Sequence, residues 1–180
     1  MSHEYLIASL PTLRLGDPPP FTGEELAQRS ANLLSEYEQR ELAAALAGRP
    51  EQGRSEYCVR WAAFEGALRD ELVKLRAQRL GVEARAWLSE PLPHPEEARL
   101  ALETQNQPDP GARELALDRA RMDRLQELAG LDPFTLAGVL SYAARLRIVE
   151  RWAALDPDEG SRRVDELVDA STESKGEQDS

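Results

Sequence analysis

Residues 136–152 read LAGVLSYAARLRIVERW, and this apolar stretch decides the fold class. Val139, Tyr142, Leu146 and Val149 recur at intervals of three and four residues, which places their side chains on one face of an α-helix. Four more apolar residues widen that face: Leu136, Leu140, Ala143 and Ile148. A helix this apolar is predicted to be covered on more than one side, in an all-α protein.

Capping signals on the N-terminal side predict further helices. Thr22 with Glu25, and Ser35 with Glu38, each have the order of a capping box, in which two side chains satisfy the free N–H groups of a helix start. The longest apolar pattern runs over residues 55–80 and stops before Gly81, a typical residue just past a helix end.

Prolines divide the C-terminal half. Asp109, Asp132 and Asp156 each precede a proline, the order of an N-cap acid followed by the first helical residue. Over residues 83–111 further prolines interrupt the pattern, which predicts a flexible elbow that contains one short helix from Pro95.

Together these signals predict an all-α, elongated bundle of about six or seven helices. A single domain is expected over residues 1–170. The apolar run over residues 5–10 is short and stops at Pro11, which predicts an extended N-terminal arm. Residues 171–180 are polar and acidic, and we expect them to form a disordered tail.

The charge balance limits the classes of partner. The chain has 22 basic and 33 acidic residues, and this net charge of -11 opposes binding to nucleic acid. The single cysteine, Cys58, and the absence of a signal peptide favour a cytoplasmic location. No apolar run reaches the roughly 20 residues that span a bilayer, so membrane insertion is not expected.

No residue pattern of a catalytic or cofactor site is present. Glycine-rich phosphate loops are missing, and neither His3 nor His94 has a second His or Cys at ligand spacing. Cys58 falls inside an apolar helical stripe, which favours buried filler over a nucleophile. We therefore expect no enzyme activity, no metal and no cofactor; a metal-dependent hydrolase that uses His94 and its neighbouring acids is the alternative from a different class.

Two further expectations concern the long helix and the residues after it. Glu65 with Arg69 and Asp70 with Lys74 are acid–base pairs four residues apart, which predicts a face that meets water. Trp87 follows the helix, and a place in the core is favoured over an exposed ring that a partner covers.

Two segments carry a resemblance to a known family. Residues 114–121, ELALDRAR, and residues 136–152 resemble the domain-of-unknown-function family 2764 (DUF2764). The run from Tyr5 to Pro11 and the prolines before the first capping box are also similar to it, while Met122 stands where the family has an aromatic residue. Its members are typically encoded among the subunits of bacterial V/A-type ATPases. The resemblance thus implies a shortened counterpart of the C subunit, the helical socket that joins the central stalk to the rotor ring.

This resemblance and the helical character lead to one functional hypothesis. The chain is expected to be a non-catalytic structural subunit, or a stalk-associated component, of a proton- or sodium-translocating V/A-type ATPase, held at the inner membrane by its partner subunits. Tyr142, Arg145, Arg147 and Arg151 are the expected contact residues, because Tyr and Arg are enriched at interfaces. A solvated helix edge is the alternative interpretation of these four residues. A free helical adaptor or assembly factor that acts transiently on the complex is the alternative function.

Overall fold

The computed structural model describes residues 2–89 and 93–155, and within these ranges the chain forms seven α-helices and no strand. In chain order they are α1 Ser2–Ala8, α2 Gly23–Ser30, α3 Glu36–Ala47, α4 Glu56–Leu80, α5 Pro95–Gln105, α6 Pro110–Leu128 and α7 Leu136–Ala153. The all-α prediction is confirmed. The helix predicted to begin at Asp156 and the tail predicted over 171–180 lie outside the described residues.

Most helix ends lie where the local capping signals in the sequence predict them. Thr22 Oγ1 accepts a hydrogen bond from the Glu25 N–H at 3.2 Å, and the Glu25 carboxylate accepts one from the Thr22 N–H at 2.7 Å. The box at Ser35 and Glu38 has the same reciprocal form. Gly81 ends α4 in the left-handed conformation, at φ 67°. Each of these contacts spans only a few residues, so the surrounding fold is not needed to form it.

Helix α7 lies at the centre of the core and is covered on more than one side, the second of which its apolar sequence predicts. It packs against α3 and α6 and, on its other sides, against α1 and α2. Two hydroxyl groups tie it to its neighbours: Tyr57 of α4 and Ser141 of α7 both donate to the Leu125 carbonyl oxygen of α6, at 3.2 and 2.9 Å. A single buried carbonyl thereby joins three helices.

The predicted extended N-terminal arm is wrong, because residues 2–8 form helix α1. Leu6 is buried and α1 packs on α7. His3 Nε2 also lies 2.8 Å from the Glu38 carboxylate at the start of α3. A helix of seven residues is not stable alone, and here tertiary packing supplies the stabilisation that its length does not.

The predicted N-cap of α7 at Asp132 is also wrong. The Asp132 side chain accepts from the Phe134 N–H in a turn, and the helix begins later in the chain with Thr135 as its N-cap. Gly138 permits this arrangement. A Cβ at Gly138 would overlap the Pro133 carbonyl oxygen, so residues 132–135 fold closely over the first turn of α7.

The residues around the predicted elbow pack on α4. Helix α5 lies against both α4 and α6, and Ala101 is completely buried. After α4 the chain turns back: the Val82 N–H donates to the Ala77 carbonyl at 3.0 Å, and the Ser89 N–H donates to the Asp70 carboxylate at 2.9 Å. Residues 82–89 therefore return along α4 towards its middle.

Two side chains in this region differ from their predictions. Asp70, expected to meet water, is buried because the returning segment covers it and its carboxylate accepts from Ser89. Trp87, for which the core was favoured, has 60% of its surface exposed. The returning segment packs on α4 in a direction that leaves this ring outside.

Candidate partner-binding site on helix α7

The four residues predicted as partner contacts lie on one helix but in different environments. Tyr142 is buried, and its ring stacks on Phe21 with the ring centres 6.1 Å apart. Burial raises the pKa of Tyr142 to about 12, and its hydroxyl group has no hydrogen-bond partner among the described residues. The segment before α2 covers this ring, so Tyr142 is not offered to solvent.

Arg145 is partly buried at the edge of α7. Its Nε donates to the Ser141 carbonyl oxygen at 3.3 Å, and its Nη1 contacts the Gln126 amide oxygen of α6. Burial lowers the pKa of the guanidinium group. These contacts hold Arg145 between α6 and α7 and leave it little freedom to turn towards a partner.

Arg151 belongs to a network centred on Asp118 of α6. The Asp118 carboxylate is almost completely buried and accepts from Arg121 at 3.0 Å and from the Trp152 indole N–H at 2.7 Å; Arg151 forms a third contact with it. Arg151 also lies 3.8 Å from Glu114. Buried carboxylates need this kind of compensation, because removing a charge from water is unfavourable unless partners replace the solvent.

The network continues from α6 to α4. Arg121 Nε lies 3.2 Å from the Glu65 carboxylate, which also accepts from the Trp61 indole N–H at 3.4 Å. Burial alone would lower the pKa of Arg121, but Glu65 and Asp118 outweigh it and raise the pKa. Each carboxylate therefore has a tryptophan donor, and the Arg121 guanidinium bridges the two. The sequence-based prediction missed this role of Asp118.

One signal in the sequence does point to Asp118. Leu115, Met122 and Leu125 form the apolar stripe of α6, and Asp118 falls inside that stripe at helical spacing from each of them. An acid in such a stripe faces the core and requires buried donors. The spacing of Glu65 and Arg69 gives no comparable signal, because Glu65 finds its partner on another helix.

Arg147 differs from the other three residues. It is exposed, and within the described residues its side chain makes no hydrogen bond or ion pair. The guanidinium lies over Gly48, the left-handed residue after α3, where any Cβ would overlap it. The absence of a side chain at Gly48 thus leaves the space that the Arg147 guanidinium occupies.

An open groove of about 610 Å³ surrounds Arg147, between the end of α3 and helices α4, α6 and α7. Four arginines line it: Arg69, Arg121, Arg147 and Arg151. Three acids line it as well: Glu51, Glu65 and Asp118. Arg121 and Arg151 pair with Glu65 and Asp118, and Arg69 lies 3.8 Å from the Asp70 carboxylate. Among the described residues, Arg147 and Glu51 are the charged groups of the groove that have no ion-pair partner. The unpaired Arg147 guanidinium suits recognition of a negatively charged partner group.

The other residues with possible chemistry lie apart from this groove. Cys58 is completely buried, as predicted, and burial raises the pKa of its thiol to about 11. His94 precedes α5 and lines a second groove of about 570 Å³ with Asp70 and Glu97. In residues 2–89 and 93–155, no three His, Cys, Asp or Glu side chains come together as a metal site.

Fold and site together define an all-α helical bundle with an arginine-rich groove beside its central helix. Residues 88–174 match the family model described as "Protein of unknown function (DUF2764)". This match spans α5, α6, α7 and both segments on which the resemblance rests, and it supports the predicted family over just under half of the chain. No curated protein and no solved structure is similar enough to count as a match. Across the described residues, every helix falls short of the length and apolarity that a bilayer crossing requires.

Proposed function

We propose that the protein is a non-catalytic helical subunit, or a stalk-associated component, of a bacterial V/A-type ATPase. In this proposal it takes the place of the ATPase's C subunit, as a socket between the central stalk and the rotor ring. The resemblance to DUF2764 supplies the link to that complex, and the family match over residues 88–174 supports the resemblance.

The observation that carries the proposal is Arg147 in the groove. In the part of the chain that the structure describes, the Arg147 guanidinium has no hydrogen-bond or ion-pair partner, so its five donors are open to a partner group. Arg is also among the residues that contribute most to binding energy. Arg147 lies inside the segment that matches the family. The Asp118 network joins α4, α6 and α7 around the groove, and a preorganised site of this kind reduces the entropy cost of binding.

Affinity purification of the tagged protein from its native host tests the proposal. We expect V/A-type ATPase subunits to be recovered in stoichiometric amounts. Arg147→Glu is expected to reduce their recovery about tenfold, the effect of roughly 1.4 kcal/mol on a binding constant. Arg119→Glu is the matched control, because Arg119 is exposed on α6, outside the groove, and the change in charge is the same.

Different outcomes support the alternatives. Stable complexes that contain no ATPase subunit would reject the proposal. Substoichiometric recovery together with a stable soluble monomer would favour the free adaptor or assembly factor. Metal analysis of the purified protein addresses the hydrolase, since that activity requires a bound ion near His94.

A further inference from the structure

Helix α7 leads the chain past the groove of about 610 Å³ around Arg147, which we name the Arg147 groove. Arg147 and Arg151 line this groove from α7, and the helix ends at Ala153. Leu155, the last described residue, lies about 12 Å beyond Arg147 at 1.5 Å per helical residue. The next residues of the chain therefore start within a short reach of the groove.

The sequence after Leu155 carries charges opposite to the two unpaired charges of the groove. Residues 156–166 read DPDEGSRRVDE and contain five acids and two arginines; we name them the acidic segment. Among the described residues, Arg147 and Glu51 are the charged groups of the groove without an ion-pair partner. The acids of the segment are complementary to Arg147, and its two arginines are complementary to Glu51.

The acidic segment is long enough to bring an acid to Arg147 in either of two chain conformations. An Asp-Pro step such as Asp156–Pro157 favours a turn, which can direct a chain back along the preceding helix. An extended chain covers about 3.3 Å per residue, so about four residues span the distance to Arg147 and Glu159 is the acid at that level. A helix rises about 1.5 Å per residue, and Asp165 is then the acid at that level.

We propose that the acidic segment turns back and occupies the Arg147 groove of its own chain. Because the segment is tethered beside the groove, its effective concentration there is on the order of millimolar, and few interactions are needed to form the contact. A second copy of the chain is a less favourable occupant, since two chains of net charge -11 repel each other.

The contact makes the acidic segment an internal competitor for the partner site. An acidic group of a partner protein has to displace the segment before it reaches Arg147. This regulatory step rests on the proposed function, whereas the contact between segment and groove is a property of the isolated chain.

Limited digestion of the full-length chain with trypsin tests the contact. Trypsin cleaves after Arg and Lys where the backbone is accessible, and it can cleave the acidic segment after Arg162 and Arg163. Lys175 lies beyond the segment and serves as an internal reference. Arg147→Glu is expected to speed cleavage within the segment about fivefold, the effect of releasing an exposed ion pair, and to leave cleavage after Lys175 unchanged. Mass spectrometry at early times measures both rates.

Arg119→Glu is the matched control for this change. It reverses the same charge at an exposed position of α6 outside the groove, and we expect it to leave cleavage of the acidic segment unchanged. Equal cleavage of the segment in Arg147→Glu and in the unchanged protein, with an intact fold by circular dichroism, would overturn the proposal. Equal acceleration in Arg147→Glu and Arg119→Glu would overturn it as well.

Changes within the segment test whether its acids are the partners of Arg147. A quadruple variant of the full-length chain replaces the acids on both sides of the two arginines: Asp158→Asn, Glu159→Gln, Asp165→Asn and Glu166→Gln. We expect the same acceleration as in Arg147→Glu, and no further acceleration when the two are combined, because both remove one interaction. Additive effects would overturn the proposal.

Two controls accompany the quadruple variant. The first neutralises four acids further along the chain and is expected to leave cleavage of the segment unchanged: Asp169→Asn, Glu173→Gln, Glu177→Gln and Asp179→Asn. The second is a free peptide of residues 153–170, with and without the four changes in the segment. It measures their direct effect on trypsin, and an acceleration as large in the peptide as in the protein would overturn the proposal.

Protein concentration identifies which chain supplies the segment. Protection that is independent of concentration supports a contact within one chain, and protection that grows with concentration would overturn the proposal in favour of a second copy. The digestion uses the purified chain alone, so a failure of the ATPase proposal leaves this test intact. Loss of the contact, in turn, leaves the recovery of ATPase subunits to be judged separately.

Discussion

Helix α7 and the end of α4 have similar helical periodicity but opposite surroundings. Helix α7 is covered by α1, α2, α3 and α6, and its apolar face is buried along its length. The last turn of α4 carries Leu80 into solvent, and the segment after it leaves Trp87 exposed. A repeating apolar pattern therefore predicts a helix, whereas the path of the rest of the chain decides what covers it.

The largest loss of stability is expected at Asp118, the buried carboxylate of α6 that contacts α7. Asp118→Ala removes the shared acceptor of Arg121, Arg151 and Trp152, and we expect a loss of about 3–5 kcal/mol, as for other broken buried ion pairs. Urea denaturation measures the change. Asp123→Ala, an exposed acid on the same helix, is expected to change stability by less than about 0.5 kcal/mol. A loss for Asp118→Ala as small as the loss for Asp123→Ala would show that Asp118 is not part of the core.

One leucine in α7 and one at the end of α4 test whether the first region is buried and the second exposed. Leu146 of α7 is completely buried, so Leu146→Ala is expected to destabilise the protein by about 3 kcal/mol through lost burial and a cavity. Leu80→Ala at the exposed end of α4 is expected to have an effect below about 0.5 kcal/mol. Thermal melts followed by circular dichroism compare the two. A large effect at Leu80 would mean that the end of α4 is part of the core.

Two glycines, one in each helix, are expected to respond with opposite signs. Gly138→Ala places a methyl group onto the Pro133 carbonyl and is expected to destabilise the protein by about 2 kcal/mol, because the overlapping atoms are backbone. Gly66→Ala on α4 meets no atom within 4 Å and is expected to stabilise the helix by about 0.5–1 kcal/mol. Denaturant titrations measure the sign of the change in unfolding free energy for each variant. A stabilising Gly138→Ala would contradict the close turn over α7.

A smaller effect than those at Asp118, Leu146 and Gly138 concerns a buried acid of α3 and depends on pH. Burial alone would raise the pKa of Glu41, but the N–H groups of Ser55 and Arg54, at 3.0 and 2.8 Å, outweigh it and lower the pKa. Because the folded pKa lies below the unfolded value, the stabilisation is present above that value and is lost as pH falls through the folded pKa.

Glu41→Gln is therefore expected to lower stability by about 1 kcal/mol at neutral pH, with the difference shrinking on acidification below about pH 4. Unfolding free energies measured across this pH range test the expectation. Glu83→Gln in the exposed return segment serves as the control, and we expect no comparable change there. A difference between Glu41→Gln and the unchanged protein that stays constant with pH would contradict the mechanism.

The candidate site was predictable only in part. The apolar spacing of α7 correctly predicts that this helix is covered on more than one side, and the four predicted contact residues do lie on it. Their roles differ because each faces a different neighbour: Tyr142 meets Phe21, Arg145 meets α6, and Arg147 meets the backbone at Gly48. Contacts between residues far apart in the chain leave no periodic signal in the sequence.

Local sequence accounts for the helices and most of their ends, because caps, left-handed glycines and apolar spacing act over a few neighbouring residues. Packing between distant segments was needed to make residues 2–8 a helix, to bury Asp118 and Asp70 and to leave Trp87 exposed. Those outcomes depend on which segments of the chain pack against each other, because the apolar surface buried between segments supplies the free energy.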